Sequence, residues 1–397
     1  MTRNLPLAGF RILSAEQYGA GPYGTMFLAQ LGAEVIKIEQ PGSGDSARAV
    51  GPHFLRKNES LFFQTFNFNK RSLTLDLNTP EGKEILHDLA RSADAVVNNL
   101  RGDLPERIGL TYAHLKDVNP ALVCGHLSAY GRDNERARWP GYDYLMQAEA
   151  GFLGMTGEPD APPTRFGLSI VDFMTGTMFA IGLLAGLVDA RKTGLGRDID
   201  VDLLSAAVHQ TSYPAMWYLN AGDETERQPR SAHPFVTPSQ TFRTADGWVF
   251  IMAQLPKFWQ VLVEKLGHPE LAQDERFRTP ADRRKNREEL TRILDGIFST
   301  RPTAEWIDLL GGSVPVAPVY GLAEALDNSF LETTAMLDRV PHPDNPDLRI
   351  LSNPIKVDGQ RLPNRAAPLL GSDTDAVLEE LGYASDAIAA LREKGVI

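Results

Sequence analysis

Short apolar runs recur along the first half of the chain, and between them the apolar residues fall at helical spacing. FRILSA (10–15), EVIKIE (34–39), RSLTLDL (71–77), AVVNN (95–99), ALVCGHLSAYG (121–131) and DIDVDLL (198–204) predict strands. Between them TMFLAQLG (25–32) and TPEGKEILHDLARSA (79–93) predict helices, the second opened by Thr79 as N-cap with Pro80 at the first position. Strands alternating with helices predict an α/β fold, a parallel sheet with helices on its faces. The run Phe173–Val188 carries no charge, falls short of the roughly 20 residues of a membrane span, and contains Thr and Gly. It predicts a buried core helix.

The texture changes near Ala221, where GDETERQPRSAHPFVTPSQ is polar and proline-rich like a linker. TFRTADGWVFIMA then predicts a hairpin turning at Ala245–Gly247, and KFWQVLVEKLG, ADRRKNREELTRILDGIFS and TAEWIDLLGG predict amphipathic helices. VPVAPVY leads out of this region. RILSNPIKVDG predicts a polar hairpin, and two helices follow, the first over TDAVLEELGY. The expected division is a large domain over 1–220, a small one over 221–325, and a return segment over 326–397.

The net charge of −11 argues against nucleic acid and anionic membranes as partners, since both need a basic surface. A small anionic ligand needs only a local basic pocket. The single Cys124 forbids an intrachain disulfide and fits a reducing, cytoplasmic compartment. No Cys/His spacing suggests a metal, and the first residues lack the features of a signal peptide.

Three stretches carry candidate chemistry. GAGPYG (19–24) fits G-x-G-x-x-G after a strand, and Glu39 stands twenty residues beyond Gly19, as in a dinucleotide fingerprint. Against that, Glu16-Gln17-Tyr18 separate the glycines from the strand, and Pro22 removes one amide from the helix start. A plain turn, a nicotinamide or flavin site, and a turn lining another ligand's site all remain open. Lys70 and Arg71 open a strand, and Arg101 and Arg107 follow another. Such cations at the carboxyl edge of a parallel sheet suit a phosphorylated ligand. Asp172 stands at the mouth of the apolar helix. It is either an N-cap or a carboxylate stripped of water and fit to be a nucleophile, with Gly167 and Gly176 leaving room for substrate. His126 reads as a satisfied strand-end residue.

These stretches resemble the class III CoA-transferases, the family of formyl-CoA transferase and, as a branch, α-methylacyl-CoA racemase. The matching stretches run in family order: PLAGFRIL, AGPYGTMFLAQLGAEVIKIEQPGSGD, FNFNKRSLTLDLNTPEGKEIL, RIGLTYAHLKDVNPALV, GYDYLMQAEAGFLGMTG, VDFMTG, KTGLGRDIDVDLL, VPVAPVYGLAEAL and APLLGSDTDAVLEELG. The resemblance implies a Rossmann-like large domain built from both ends of the chain, a smaller α+β domain, and an interlocked homodimer. It implies acyl-CoA as a substrate, with no tightly bound cofactor and a carboxylate as acceptor.

Under the resemblance Asp172 is the nucleophile. CoA contacts fall on Leu75, Asn99, Leu100, Arg101 and Arg107, joined by Lys70, Arg71 and Arg138 as candidate partners of its phosphates. Gly19 stands where the family has Gln, Gln40 and Pro140 stand where it has basic residues, and Tyr142 stands where the racemase branch has His. A phenol with a pKa near 10 is a poor proton shuttle at neutral pH, which favours transferase over racemase. Arg165 and Arg48 are candidates to hold the second carboxylate of a dicarboxylate such as succinate by a bidentate contact.

Overall fold

Six strands, β1 (Arg11–Ala15), β2 (Glu34–Glu39), β3 (Arg71–Thr74), β4 (Ala95–Asn98), β5 (Val123–Ser128) and β6 (Asp198–Asp202), pair in parallel in the order β3-β2-β1-β4-β5-β6. The computed structural model describes residues 4–397, so residues 1–3 of the first expected domain lie outside the described residues. β4 and β5 are buried along their whole length, as expected of strands covered on both faces. The order reverses direction between β1 and β4, which opens a crevice at the carboxyl ends of those two strands.

Helix α1 (Ala20–Gln30) follows β1, and α2 (Pro80–Ala90) follows β3, with the Thr79 hydroxyl accepting from the Gly82 amide as its sequence predicts. After β5 come α3 (Asp143–Glu149), α4 (Ile170–Thr193) and, beyond β6, α5 (Leu203–Gln210). α4 runs 24 residues, longer than its uncharged stretch suggested, and by length and composition it could cross a membrane. Half of its apolar window is buried within the fold. A Cβ on Gly24 would lie 2.4 Å from the Gly176 carbonyl, and one on Gly176 would lie 2.4 Å from the Ala20 carbonyl. The two glycines therefore let α1 and α4 cross backbone to backbone. Gly176 serves that crossing and leaves no room for a substrate.

The chain divides into two units. The first comprises 1–150, 167–212 and 330–397; the second comprises 151–166 and 213–329. The boundaries thus fall at 212/213 and 329/330, and the second unit also takes the segment before α4. The second unit builds a three-stranded antiparallel sheet from β7 (Ser239–Arg243), β8 (Trp248–Met252) and β9 (Val316–Pro318), β9 being formed by the proline-rich exit stretch. Its core joins Phe242, Trp259, Leu294, Phe298 and Trp306. In the first unit the return segment closes the sheet's flank. The Ser72 amide donates to Asp373 (2.9 Å), the Thr74 amide donates to Thr374 (3.0 Å), and Val377, Leu378, Ile388 and Val396 join the core of Leu13, Leu73 and Leu86.

Candidate active site

The crevice holds two adjoining clefts. One is lined by Glu16, Glu39, Gln40, Leu75 and Ile108, the other by Tyr18, Gly19, Arg101, Trp139, Tyr142 and Asp172, and Gln17 and Leu100 border both. The turn after β1 is fixed from two sides. The Gln17 amide donates to Asn99 Oδ1 (2.8 Å) while Asn99 Nδ2 donates back to the Gln17 carbonyl (2.6 Å). The Tyr18 amide donates to Asp45 Oδ1 (3.0 Å), holding Tyr18 in the left-handed region at φ 66°, which a bulky side chain rarely adopts. The Tyr18 ring meets those of Phe62 (5.1 Å) and Tyr142 (6.4 Å). Backbone strain of this kind collects at ligand sites, where surrounding contacts hold it in place.

Asp172 sits in the first turn of α4, with Ser169 rather than Asp172 at the N-cap. Ser169 makes no side-chain cap; instead Asp143 Oδ2 accepts from the Asp172 amide at 2.9 Å. Burial, and then the charge of Asp143, push the Asp172 carboxyl up to about 7 from an ordinary 3.8. The Asp172 carboxylate occupies the space a side chain on Gly19 would fill, since an ideal Cβ there lies 2.6 Å from Oδ2. Gly19→Ala is therefore expected to push the carboxylate off its position and lower kcat about tenfold or more. The clashing atom ends a rotatable side chain, so stability should change by less than about 1 kcal/mol. Steady-state kinetics beside a thermal melt check this, and wild-type kcat would show that the carboxylate need not sit there.

Three of the expected cations are engaged elsewhere. Lys70 is enclosed: its Nζ meets Glu16 Oε1 (2.8 Å), the Pro22 carbonyl (3.0 Å) and Asn67 Oδ1 (3.0 Å). Arg71 begins β3, so it lies at the amino edge of the sheet, away from the crevice, and pairs with Glu34 (2.5 Å) and Glu380 (2.9 Å). Arg48 is buried and forks onto Glu39 (2.7 and 2.8 Å) while reaching Glu59 (2.8 Å). Lys70 and Arg71 are thus not phosphate ligands, and Arg48 is not a carboxylate clamp. The same fork, with Ser72 Oγ donating at 2.6 Å, removes Glu39 from reach of a ribose hydroxyl. That takes away the acid of the dinucleotide reading.

Arg101 lines the Asp172 cleft and forks onto Asp103 (2.5 and 3.0 Å). Arg107 projects outward beside Ile108, 3.6 Å from the same Asp103. Leu75 is buried and borders the first cleft, and Arg138 is exposed next to Trp139. Arg165 belongs to the second unit and donates to the Phe166 carbonyl (3.0 Å). His126 is buried between Asn98 (2.9 Å) and Asp198 (2.8 Å), a satisfied strand residue as its context predicts. Among the described residues no group of three or more His, Cys, Asp or Glu is arranged to hold a metal.

Sequence reasoning passed over Tyr18, Trp139 and Asp143. The available signal for Asp143 was an acid opening the amphipathic run DYLMQAE, with Gln147 one turn on at i+4.

A sequence model of CoA-transferase family III matches residues 7–374. Succinyl-CoA:glutarate CoA-transferase of Mus musculus is 35% identical over 99% of this chain and 90% of that protein. Succinyl-CoA:mesaconate CoA-transferase of Haloarcula hispanica is 34% identical over 95% of this chain and 96% of that protein. The crystal structure of a CAIB/BAIF family protein from Brucella suis superposes with a TM-score of 0.84 at 30% identity, over 96% of this chain and all of that one (100%). With a partly buried carboxylate at the switch point of a six-stranded parallel sheet, this chain is a transferase and belongs to CoA-transferase family III.

Proposed function

We propose that the protein moves CoA between small carboxylic acids, dicarboxylates such as succinate among them, with Asp172 as the nucleophile. The observation that carries this reading is the Asp172 carboxylate, held in the first turn of α4 and turned into the crevice against Gly19. An Asp172 oxygen attacks the thioester carbon, the C–S bond breaks, and its electron pair leaves on the CoA sulfur. The product is a mixed anhydride. The thiolate returns to the Asp172 carbonyl, which gives an aspartyl-CoA thioester and frees the donor acid. The acceptor carboxylate attacks that thioester and expels the CoA thiolate, which leaves a second mixed anhydride between Asp172 and the acceptor. The thiolate then attacks the acceptor's carbonyl carbon, the anhydride C–O bond breaks, and the acceptor departs as its CoA thioester while the Asp172 carboxylate is restored. The exchange is divided into steps of smaller barrier, and the apolar surroundings of α4 protect the anhydride from water.

The first cleft is the place for the nucleotide end of CoA, with the pantetheine arm passing over Gln17 and Leu100 to reach Asp172. With Lys70 and Arg71 engaged elsewhere, the exposed Arg107 is the cation for the phosphates, and Arg101 joins it only by releasing Asp103. Arg107→Ala is expected to raise KM for acyl-CoA several-fold while kcat and stability stay close to wild type. An unchanged KM would remove Arg107 from the binding set. Self-association into the interlocked dimer is supported by the outward apolar side chains Ile181, Val188 and Val208. A monomeric mass in solution would overturn it.

The deciding experiment is intact-protein mass after mixing with succinyl-CoA and trapping with hydroxylamine, wild type beside Asp172→Ala. An adduct on the wild type alone supports the reading. No adduct with succinyl-CoA or a panel of other acyl-CoAs, together with α-proton exchange of a 2-methylacyl-CoA in deuterated water, would establish the racemase reading instead. An acceptor panel run on Arg165→Met asks whether that arginine holds the distal carboxylate; an unchanged KM for dicarboxylates removes it.

A further inference from the structure

Asp143 is a buried acid placed against the reacting acid. Its Oδ2 accepts from the Asp172 amide at 2.9 Å, and its Oδ1 accepts from Gln147 Nε2 at 2.5 Å. Gln147, fully buried, also donates to the Leu168 carbonyl at 3.1 Å, which ties α3 to the residues that open α4. An Asp is present here where a neutral acceptor would satisfy the same amide. The arrangement sets the buried Asp143 carboxyl against the backbone of Asp172, close enough for its charge to act on the Asp172 carboxyl.

The other groups lining the Asp172 cleft come from several elements. Tyr18 and Gly19 come from the turn before α1, Tyr142 from the start of α3, Ser128 from the end of β5 and Leu203 from α5. Among the described residues lining this cleft Arg101 is the one cation, and its guanidinium is already forked onto Asp103.

We propose that Asp143 is a positioning residue that both caps the first turn of α4 and, by like-charge repulsion, drives Asp172 toward its neutral acylated form. This rests on Asp172 being the nucleophile. When an Asp172 oxygen bonds to the acyl carbon and the C–S electron pair departs on the CoA sulfur, Asp172 loses its charge. The repulsion from Asp143 exists in the free enzyme and vanishes in both covalent intermediates. That relief matters because a carboxylate here expels a thiolate, a much stronger base than an ordinary carboxylate, so the first step runs uphill. Burial and Asp143 together raise Asp172 to about 7 and narrow that gap.

The test is Asp143→Asn in the full chain, with succinyl-CoA as the probe. Asn keeps the shape and an acceptor for the Asp172 amide, and removes the charge. Expected are an acid limb of kcat/KM that moves about one pH unit lower, and an adduct occupancy at pH 8 and limiting succinyl-CoA that falls about 3- to 10-fold, one unit being tenfold in proton affinity. Gln147→Leu keeps the charge while loosening its support, so its limb should stay in place or move higher. A purely structural role would move both variants the same way, and that result overturns the proposal. So does an Asp143→Asn enzyme that labels as wild type does with the limb unmoved, while leaving the Asp172 reading intact. A wild-type enzyme that takes no adduct from any acyl-CoA overturns both.

Discussion

Asp172→Asn should lose CoA transfer by about 10³-fold or more and, at pH 8, unfold at a higher temperature than the wild type. The loss follows from removing the only atom that carries the acyl group between donor and acceptor in the proposed cycle; an amide neither attacks a thioester nor forms the anhydride. The gain follows from the carboxyl being held at about 7 in the fold against an ordinary 3.8. Below 3.8 the folded and the unfolded chain both carry the proton, and the site costs nothing. Between 3.8 and about 7 the unfolded chain ionises while the folded one keeps its proton, so stability falls as pH rises. Above about 7 the full cost is present. At about 1.4 kcal/mol for each tenfold change in proton affinity, that cost is about 2–4 kcal/mol. The difference between variant and wild type should therefore grow from near zero at pH 4 to its full size at pH 8. Denaturant titrations at the two pH values measure it. A difference independent of pH would mean that the carboxylate is not under electrostatic stress. The same stress sets the activity profile of the proposed cycle: its nucleophile is the ionised form, so kcat/KM should fall tenfold per pH unit below about 7.

Lys70→Met should destabilise the protein by about 3–5 kcal/mol, the usual result of removing one partner from a buried ion pair. Burial pulls the Lys70 ammonium down to about 8 even with Glu16 beside it, which shows how little solvent reaches it. Next to this pair Lys37 meets Asp45 Oδ2 (2.9 Å) and the Glu16 carbonyl (2.7 Å), and Thr25 Oγ1 donates to Glu16 (2.6 Å). Together these contacts join the ends of β1 and β2, the first turns of α1 and the start of β3. Met matches the length of the lysine stem but leaves Glu16 with less to neutralise it. Adding Glu16→Gln should recover most of the loss, since replacing both charges removes the orphan. A double variant whose loss is the sum of the two single ones would overturn this account. Because Glu16 directly precedes Gln17, Tyr18 and Gly19, the single variant should also lose activity beyond what its unfolded fraction explains.

Most of the sheet was legible because its strands are short runs rich in β-branched residues, such as EVIKIE and AVVNN, set between helical patterns, although the buried Lys37 interrupts the first of them. Asp172 stood out as an acid opening a run without charge, read either as an N-cap or as a nucleophile; the fold puts Ser169 at the cap and turns Asp172 into the crevice. What stayed hidden depends on partners far away in sequence. Lys70 and Arg71 looked like one basic patch. Successive residues entering a strand face opposite ways, and their acids lie at Glu16 and Glu34, which no local pattern couples to them. Glu39 matched the dinucleotide fingerprint by spacing, yet Arg48, nine residues on, occupies both of its oxygens. Gly176 read as room for a ligand because a missing side chain looks the same in sequence whether it admits a substrate or a second helix.

The first unit is assembled from three separate stretches of chain, and its core is completed by residues 374–397 lying on β3 and α2. During synthesis the second unit therefore emerges whole while the first is still open along one flank. Leu73, Leu86 and Leu89 must wait for Val377, Leu378 and Ile388 to leave the ribosome. The first unit closes only after translation has passed the second, so the nascent chain carries an exposed apolar seam for most of its time on the ribosome, the state in which chaperones hold a growing chain.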